Sequence, residues 1–60
     1  MIEITYFIKN KNGQWVEGGN AFDDAYKAVR FVHMIRAKGA RCIDYSCYDP
    51  EDCQVLERAC

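Results

Sequence analysis

The stretch NAFDDAYKAVRFVHMIRAKG, residues 20–39, decides the fold. It reads as one amphipathic helix. Asn20 is a good N-cap, Asp23 sits at the capping-box position, and Asp23 and Asp24 lie where the positive end of the helix dipole favours carboxylates. Arg36 and Lys38 complement the opposite end, and Gly39 suits the left-handed position that closes a helix. At 100° per residue, Phe22, Ala25, Ala28, Val29, Val32 and Ile35 form one broad apolar face. The other face carries Asp23, Lys27, Arg30 and Lys38. Phe31 and Met34 fall among these charges and are expected to need cover from a second helix or a partner. His33, at the edge of the apolar face, reads as a boundary packing residue.

On the N-terminal side the chain alternates strictly. Ile2, Ile4, Tyr6 and Ile8 point one way; Glu3, Thr5, Phe7 and Lys9 point the other, the period of a half-buried strand. Asn12-Gly13 predicts a two-residue type I′ hairpin leading into a second strand over 14–17. That turn places Lys9 across from Val16. Trp15 then joins Ile4, Tyr6 and Ile8 on the inner face, and Val16 joins Phe7 and Thr5 outside. Gly18-Gly19 is expected to end the strand and turn the chain into the helix.

Beyond Gly39, residues 41–48 alternate again. Ile43, Tyr45 and Cys47 are expected to face inward, with Cys42, Asp44, Ser46 and Tyr48 outside. Asp49-Pro50-Glu51-Asp52 then opens a second helix, with an aspartate N-cap, proline at the first helical position and acids in the first turn. Cys53, Leu56 and Cys60 form its short apolar stripe. The reading is α+β: one domain over residues 1–60, in the order ββαβα. The first strand is the longest and most apolar, which places it centrally in a three-stranded antiparallel sheet of order 2-1-3. The long helix covers one face. A core is expected from Ile4, Tyr6, Ile8, Trp15, Val29, Val32, Ile43 and Tyr45.

A chain of 60 residues lies near the lower limit for a domain that folds on its own core. Met1 opens directly on a strand pattern, without a signal-peptide pattern or a membrane-length apolar run, which predicts a leaderless cytoplasmic protein. In that compartment the four cysteines are expected to be free thiols. Their spacing, Cys42-x4-Cys47-x5-Cys53-x6-Cys60, lacks the close pairs of structural zinc sites, so no metal or cofactor is expected. The net charge of −1 conceals segregation: five cations and no acid over residues 27–41, then five acids against one arginine over 42–60. Such a pattern steers a partner or holds the C-terminal segment to the helix. The acidic first turn of the second helix is expected near Lys27, Arg30 or Lys38, covering Phe31 and Met34.

Catalytic chemistry finds little support. Ser46, Thr5 and His33 are the only serine, threonine and histidine, and Ser46 is expected to face away from the helix that carries His33. The paired acids at 23–24 and 49–52 are explained as helix N-terminal charge. Gly18-Gly19 is not a phosphate loop, and Glu51 and Asp52 oppose thiolate formation at Cys53. The expectation is a protein without enzymatic activity.

Two binding readings remain. Phe7, Val16, Phe31, Met34 and Tyr48 are apolar residues that the expected fold leaves outside, and they mark a protein interface, with a homodimer or a heterologous partner on the open sheet face. The alternative uses Lys27, Arg30, Lys38 and Arg41 as a phosphate-contacting stripe for nucleic acid. Gly13-Gln-Trp15 followed by Phe22-Asp-Asp-Ala25 resembles the sheet-then-helix pattern of phage integrase arm-binding domains, without their third hairpin strand and basic sheet. In style, a short leaderless ββαβ module, the chain is similar to small proteins of phages and mobile elements, including anti-CRISPR-like inhibitors. That resemblance implies a small adaptor or inhibitor that binds protein by surface complementarity.

Overall fold

The computed structural model describes residues 1–59. Its elements are β1 (Ile2–Lys9), β2 (Trp15–Phe22), α1 (Ala25–Ala37), β3 (Arg41–Ser46) and α2 (Pro50–Ala59). The strands form an antiparallel sheet in the order β2-β1-β3, as the sequence predicts. The expected stripe position at Cys60 lies outside the described residues.

The hairpin differs from its expected form by one residue. Ile8 pairs with Val16 and Lys9 with Trp15. The Asn10 N–H donates to the Gln14 carbonyl at 2.8 Å, which leaves three residues in the loop, Lys11, Asn12 and Gly13. The Gly13 N–H donates to the Asn10 carbonyl at 3.0 Å, and Gly13 alone in the loop takes a positive φ, +77°. A type I′ turn needs positive φ at two successive residues, and Asn12 does not supply it. This is the three-residue form, a turn followed by one left-handed glycine. Asn10 holds it further: its Oδ1 accepts from the N–H groups of Asn12 (2.9 Å) and Gln14 (3.0 Å). A one-residue change of register moves every β2 side chain to the opposite face. Trp15 therefore leaves the expected core, and Val16 leaves the expected outer face.

β2 also runs through Gly18-Gly19 to Phe22, so those glycines extend the strand where the sequence predicted its end. Gly18 faces Tyr6, and a Cβ at Gly18 would collide with the Tyr6 ring. The missing side chain lets that ring lie across the strand. Continued pairing to β1 brings Phe22 across from Ile2, where it packs on the core instead of opening a helix.

Because β2 takes residues 20–22, α1 begins later than expected. Its N-cap is Asp24, whose Oδ1 accepts from the Tyr26 N–H at 2.7 Å, and Asn20 is a strand residue. The C-terminus closes as the sequence predicts. Gly39 adopts φ +91°, its N–H donates to the Arg36 carbonyl, and the Ala40 N–H donates to the Ile35 carbonyl. Ala25, Ala28, Val32 and Ile35 of α1 meet Ile2 and Ile4 of β1 in the core, joined by Ala40 and by Leu56 of α2.

Both helices therefore lie on one face of the sheet. Asp49 caps α2, its Oδ1 accepting from the Glu51 N–H at 2.9 Å. α2 does not approach the Lys27, Arg30 and Lys38 side of α1. It lies along the other flank, where Val55, Arg58 and Ala59 face Tyr26, Val29 and His33, and the Arg36 guanidinium donates to the Ala59 carbonyl at 3.1 Å. Burying Leu56 outweighs attraction between exposed charges, which salt and water screen. Cys47, just past the end of β3, is joined to Cys53 in α2 by a disulfide with Cα atoms 5.9 Å apart. This corrects the expectation of free thiols at those positions: the turn into α2 brings the two cysteines within bridging distance. Cys42 is free and exposed.

Val32 is fully buried at the centre of this core. Val32→Asp leaves a buried charge without a partner, at a cost on the order of 4 kcal/mol. A chain of this length has only about 3–9 kcal/mol of stability. The variant is expected to lose its cooperative melt in circular dichroism; a melt near that of the wild type would contradict the core. For the Cys47–Cys53 bridge, the short loop it closes contributes about 2.5 kcal/mol in the chain-entropy account. Reductant is expected to lower the melting temperature by roughly 10 °C, and an unchanged midpoint would show that the bridge does not hold α2.

Candidate interaction surface on the open sheet face

The face of the sheet turned away from the helices carries the odd-numbered residues of β1 and their cross-strand partners. Across it the pairs are Glu3 with Ala21 and Ser46, Thr5 with Gly19 and Asp44, Phe7 with Glu17 and Arg41, and Lys9 with Trp15. Two departures from regular pairing assemble its most apolar corner. The first is the hairpin register, which brings Trp15 onto this face. The second is a bulge in β3, between the Thr5–Asp44 and Phe7–Arg41 pairs, where β3 carries one residue more than β1. Cys42 sits in the bulge at φ +55°, a conformation that costs a non-glycine residue about 1–2 kcal/mol. Regular pairing would put Cys42 across from Phe7; the bulge puts Arg41 there instead.

The result is a shallow cleft lined by Phe7, Trp15, Arg41 and Cys42. Trp15 is 47% exposed and Phe7 40%. The Trp15 ring is flanked by two cations, with Lys9 Nζ 5.4 Å and Arg41 Cζ 6.0 Å from its centroid, both within cation–π range. At the opposite end of the same face the side chains are small or acidic. Glu3, Thr5, Gly19 and Ala21 border a second shallow hollow there, and Asp44 and Ser46 lie beside it on β3.

The expected interface residues do not form one surface. Phe7 stands on the open face. Val16 is across from Ile8 on the helix-bearing face, where it remains 41% exposed near the hairpin end. Phe31 is no longer an outlying residue of the polar helix face. It is half-buried, its ring 5.7 Å from that of Tyr6 and 5.1 Å from that of Phe22, so the sheet supplies its cover. Met34 is 46% exposed on the outer side of α1, and Tyr48 is 88% exposed in the turn before α2. The expected basic stripe is divided as well. Lys27, Arg30 and Lys38 share the outer side of α1, with Lys27 3.6 Å from Asp23, while Arg41 belongs to the open sheet face. Ser46 and His33 lie on opposite sides of the sheet. Among the described residues no three metal-capable side chains gather, and no helix is long and apolar enough to cross a membrane.

Comparison with known proteins adds nothing to this geometry. No protein-family model matches the chain, and no curated protein and no solved structure matches it. The resemblance to integrase arm-binding domains gains no support from them.

The hairpin register moves Trp15 out of the expected core, and Trp15 is the only tryptophan. At low concentration its fluorescence is expected to show the red emission of a solvated indole and to be quenched readily by acrylamide. A blue emission resistant to quencher would return Trp15 to the core and contradict the hairpin register.

Proposed function

We propose that this chain is a non-enzymatic protein-binding module, an adaptor or inhibitor acting by surface complementarity, and that its contact surface is the open sheet face around Trp15. The observation that carries this reading is the convergence of the hairpin register and the β3 bulge on one cluster. They expose Trp15 and Phe7 side by side and set Arg41 and Lys9 against the indole. Tryptophan, other aromatics and arginine dominate the energetics of protein interfaces. Phe7 and Trp15 are already partly covered, at 40% and 47% exposed, so burying the remainder against a partner recovers about 1 kcal/mol for each side chain. The strained Cys42 fits the same reading, since a bulge that re-aims a side chain is often found at a functional surface.

The nucleic-acid alternative is less well supported. Its four cations are divided between two faces, and Lys27 already has a carboxylate beside it. On the open face, Glu3, Glu17 and Asp44 would repel a phosphate backbone. The reading carries with it a cytoplasmic location, where reducing conditions would open much of the Cys47–Cys53 bridge.

Affinity capture on tagged protein from the source cells, with and without nuclease, tests the proposal. Wild type is expected to retain a protein that nuclease does not release. Trp15→Ala is expected to lose it, while Arg30→Glu with Lys38→Glu keeps it. Retention that depends on nucleic acid and on Arg30 and Lys38 would overturn the reading in favour of the alternative.

A further inference from the structure

The open face is complementary to itself, and we infer that it binds a second copy of the same chain about a two-fold axis. This inference rests on the open-face reading above and names its occupant. Bulk and both cations lie at one end of the face, in Trp15, Phe7, Lys9 and Arg41, with Glu17 the one acid among them. Small side chains and negative charge lie at the other, in Gly19, Ala21, Glu3 and Asp44. A surface divided in this way pairs with its own image when the strands of the two copies run in opposite directions.

The register specifies which residues meet. Consider two sheets packed face to face about 10 Å apart, with the two-fold axis lying between them, across the strands, at the level of Tyr6. β1 then lies antiparallel on β1 of the second copy, and β2 and β3 each lie on their own counterparts. Lys9 comes over Glu3 of the second copy. Arg41 comes over Asp44 of the second copy, because the bulge has put Arg41 level with Phe7, while Asp44 is level with Thr5. Trp15 comes over Ala21 of the second copy and into the hollow beside Gly19. Each contact occurs twice, as a closed isologous interface requires. The alternative axis, along the strands, sets Lys9 over Lys9 and Glu3 over Glu3 of the second copy and lays Trp15 over β3 instead of the hollow beside Gly19. It gains only Arg41 over Glu17, whereas the axis across the strands forms both the Lys9–Glu3 and Arg41–Asp44 pairs. Glu17, on the same strand as Trp15 and level with Phe7, comes over Gly19 of the second copy, where no side chain opposes it.

Both irregularities are needed for this match. With a two-residue hairpin loop the indole points to the helices. Without the bulge, Cys42 replaces Arg41 opposite Asp44 of the second copy. The face is small, roughly 26 Å by 14 Å from the strand rise and spacing. It lies below the size of a standard stable interface, so the expected dimer is in exchange with monomer at micromolar concentration.

Sedimentation velocity of the full chain from about 1 to 300 µM tests the inference. Wild type is expected to shift from monomer to dimer. Gly19→Val fills the hollow, yet its Cβ meets only the Ile4 carbonyl oxygen at 3.6 Å and Thr5 Cγ2 at 3.9 Å, so the monomer fold accommodates it. It is expected to weaken self-association about tenfold or more, with the melt retained. Two charge variants provide the decisive arm: Lys9→Glu with Arg41→Glu, and Glu3→Lys with Asp44→Lys. Each alone is expected to sediment as monomer, and an equimolar mixture as dimer. A wild type that stays monomeric at the highest concentration overturns the inference, as does a dimer that Gly19→Val and the charge variants leave intact. If wild type is monomeric while Trp15-dependent capture of another protein persists, only the second-copy inference fails. If Trp15→Ala also captures that protein, the open-face reading fails with it.

Discussion

The Asn10–Gln14 loop fixes the parity of the whole sheet. Asn10 Oδ1 takes two backbone N–H groups that would otherwise lack partners in a tight turn, and Gly13 supplies the single left-handed residue that a three-residue connection needs. Side chains alternate along a strand with a period of two, so the choice between a two- and a three-residue loop has no intermediate outcome. It decides whether the only tryptophan joins the core or faces outward. It also sets Gly18 against Tyr6, where the missing side chain lets the ring lie across the neighbouring strand.

Packing on the helix side follows from that parity. With the indole outside, the interior is built from small and aliphatic residues: alanines of α1 let the helix approach Ile2 and Ile4 closely, and Leu56 closes the edge. Phe22, Tyr6 and Phe31 form an aromatic group beside this core, each ring half-buried. So small a core leaves little stability in reserve. The Cys47–Cys53 bridge and the Arg36–Ala59 hydrogen bond tie down α2, which at ten residues would be marginal by itself.

The fold class was legible because three separate patterns agreed. The alternation of Ile2, Ile4, Tyr6 and Ile8, the stripe through Ala28, Val32 and Ile35, and the Asp49-Pro50 helix start each specify an element. Misreadings came where one signal had two physical solutions. Asn12-Gly13 suits a two-residue turn, but Asn10 two residues earlier offers a side-chain acceptor that favours the longer one. Asn20 and Asp24 are both competent N-caps, and the additional ladder formed by residues 20–22 selects Asp24. Gly18-Gly19 resembles a break, yet a glycine opposite a large aromatic ring belongs within a strand. The bulge at Cys42 left no sequence signal, because the left-handed position is held by a cysteine where glycine is usual. Disulfide pairing was equally silent, since spacing does not report which cysteines meet in space. The candidate surface was therefore only half legible: Phe7 followed from alternation, whereas Trp15 and Arg41 reached it through the two irregularities.

The central claim is that Trp15 shares the open face with Phe7 and Arg41. Nuclear Overhauser contacts from the Trp15 indole protons, recorded on dilute protein, test it most directly. The account predicts contacts to the side chains of Lys9, Phe7 and Arg41 and none to Val29 or Val32. Contacts from the indole to Ile8, Tyr6 or the α1 valines would contradict it.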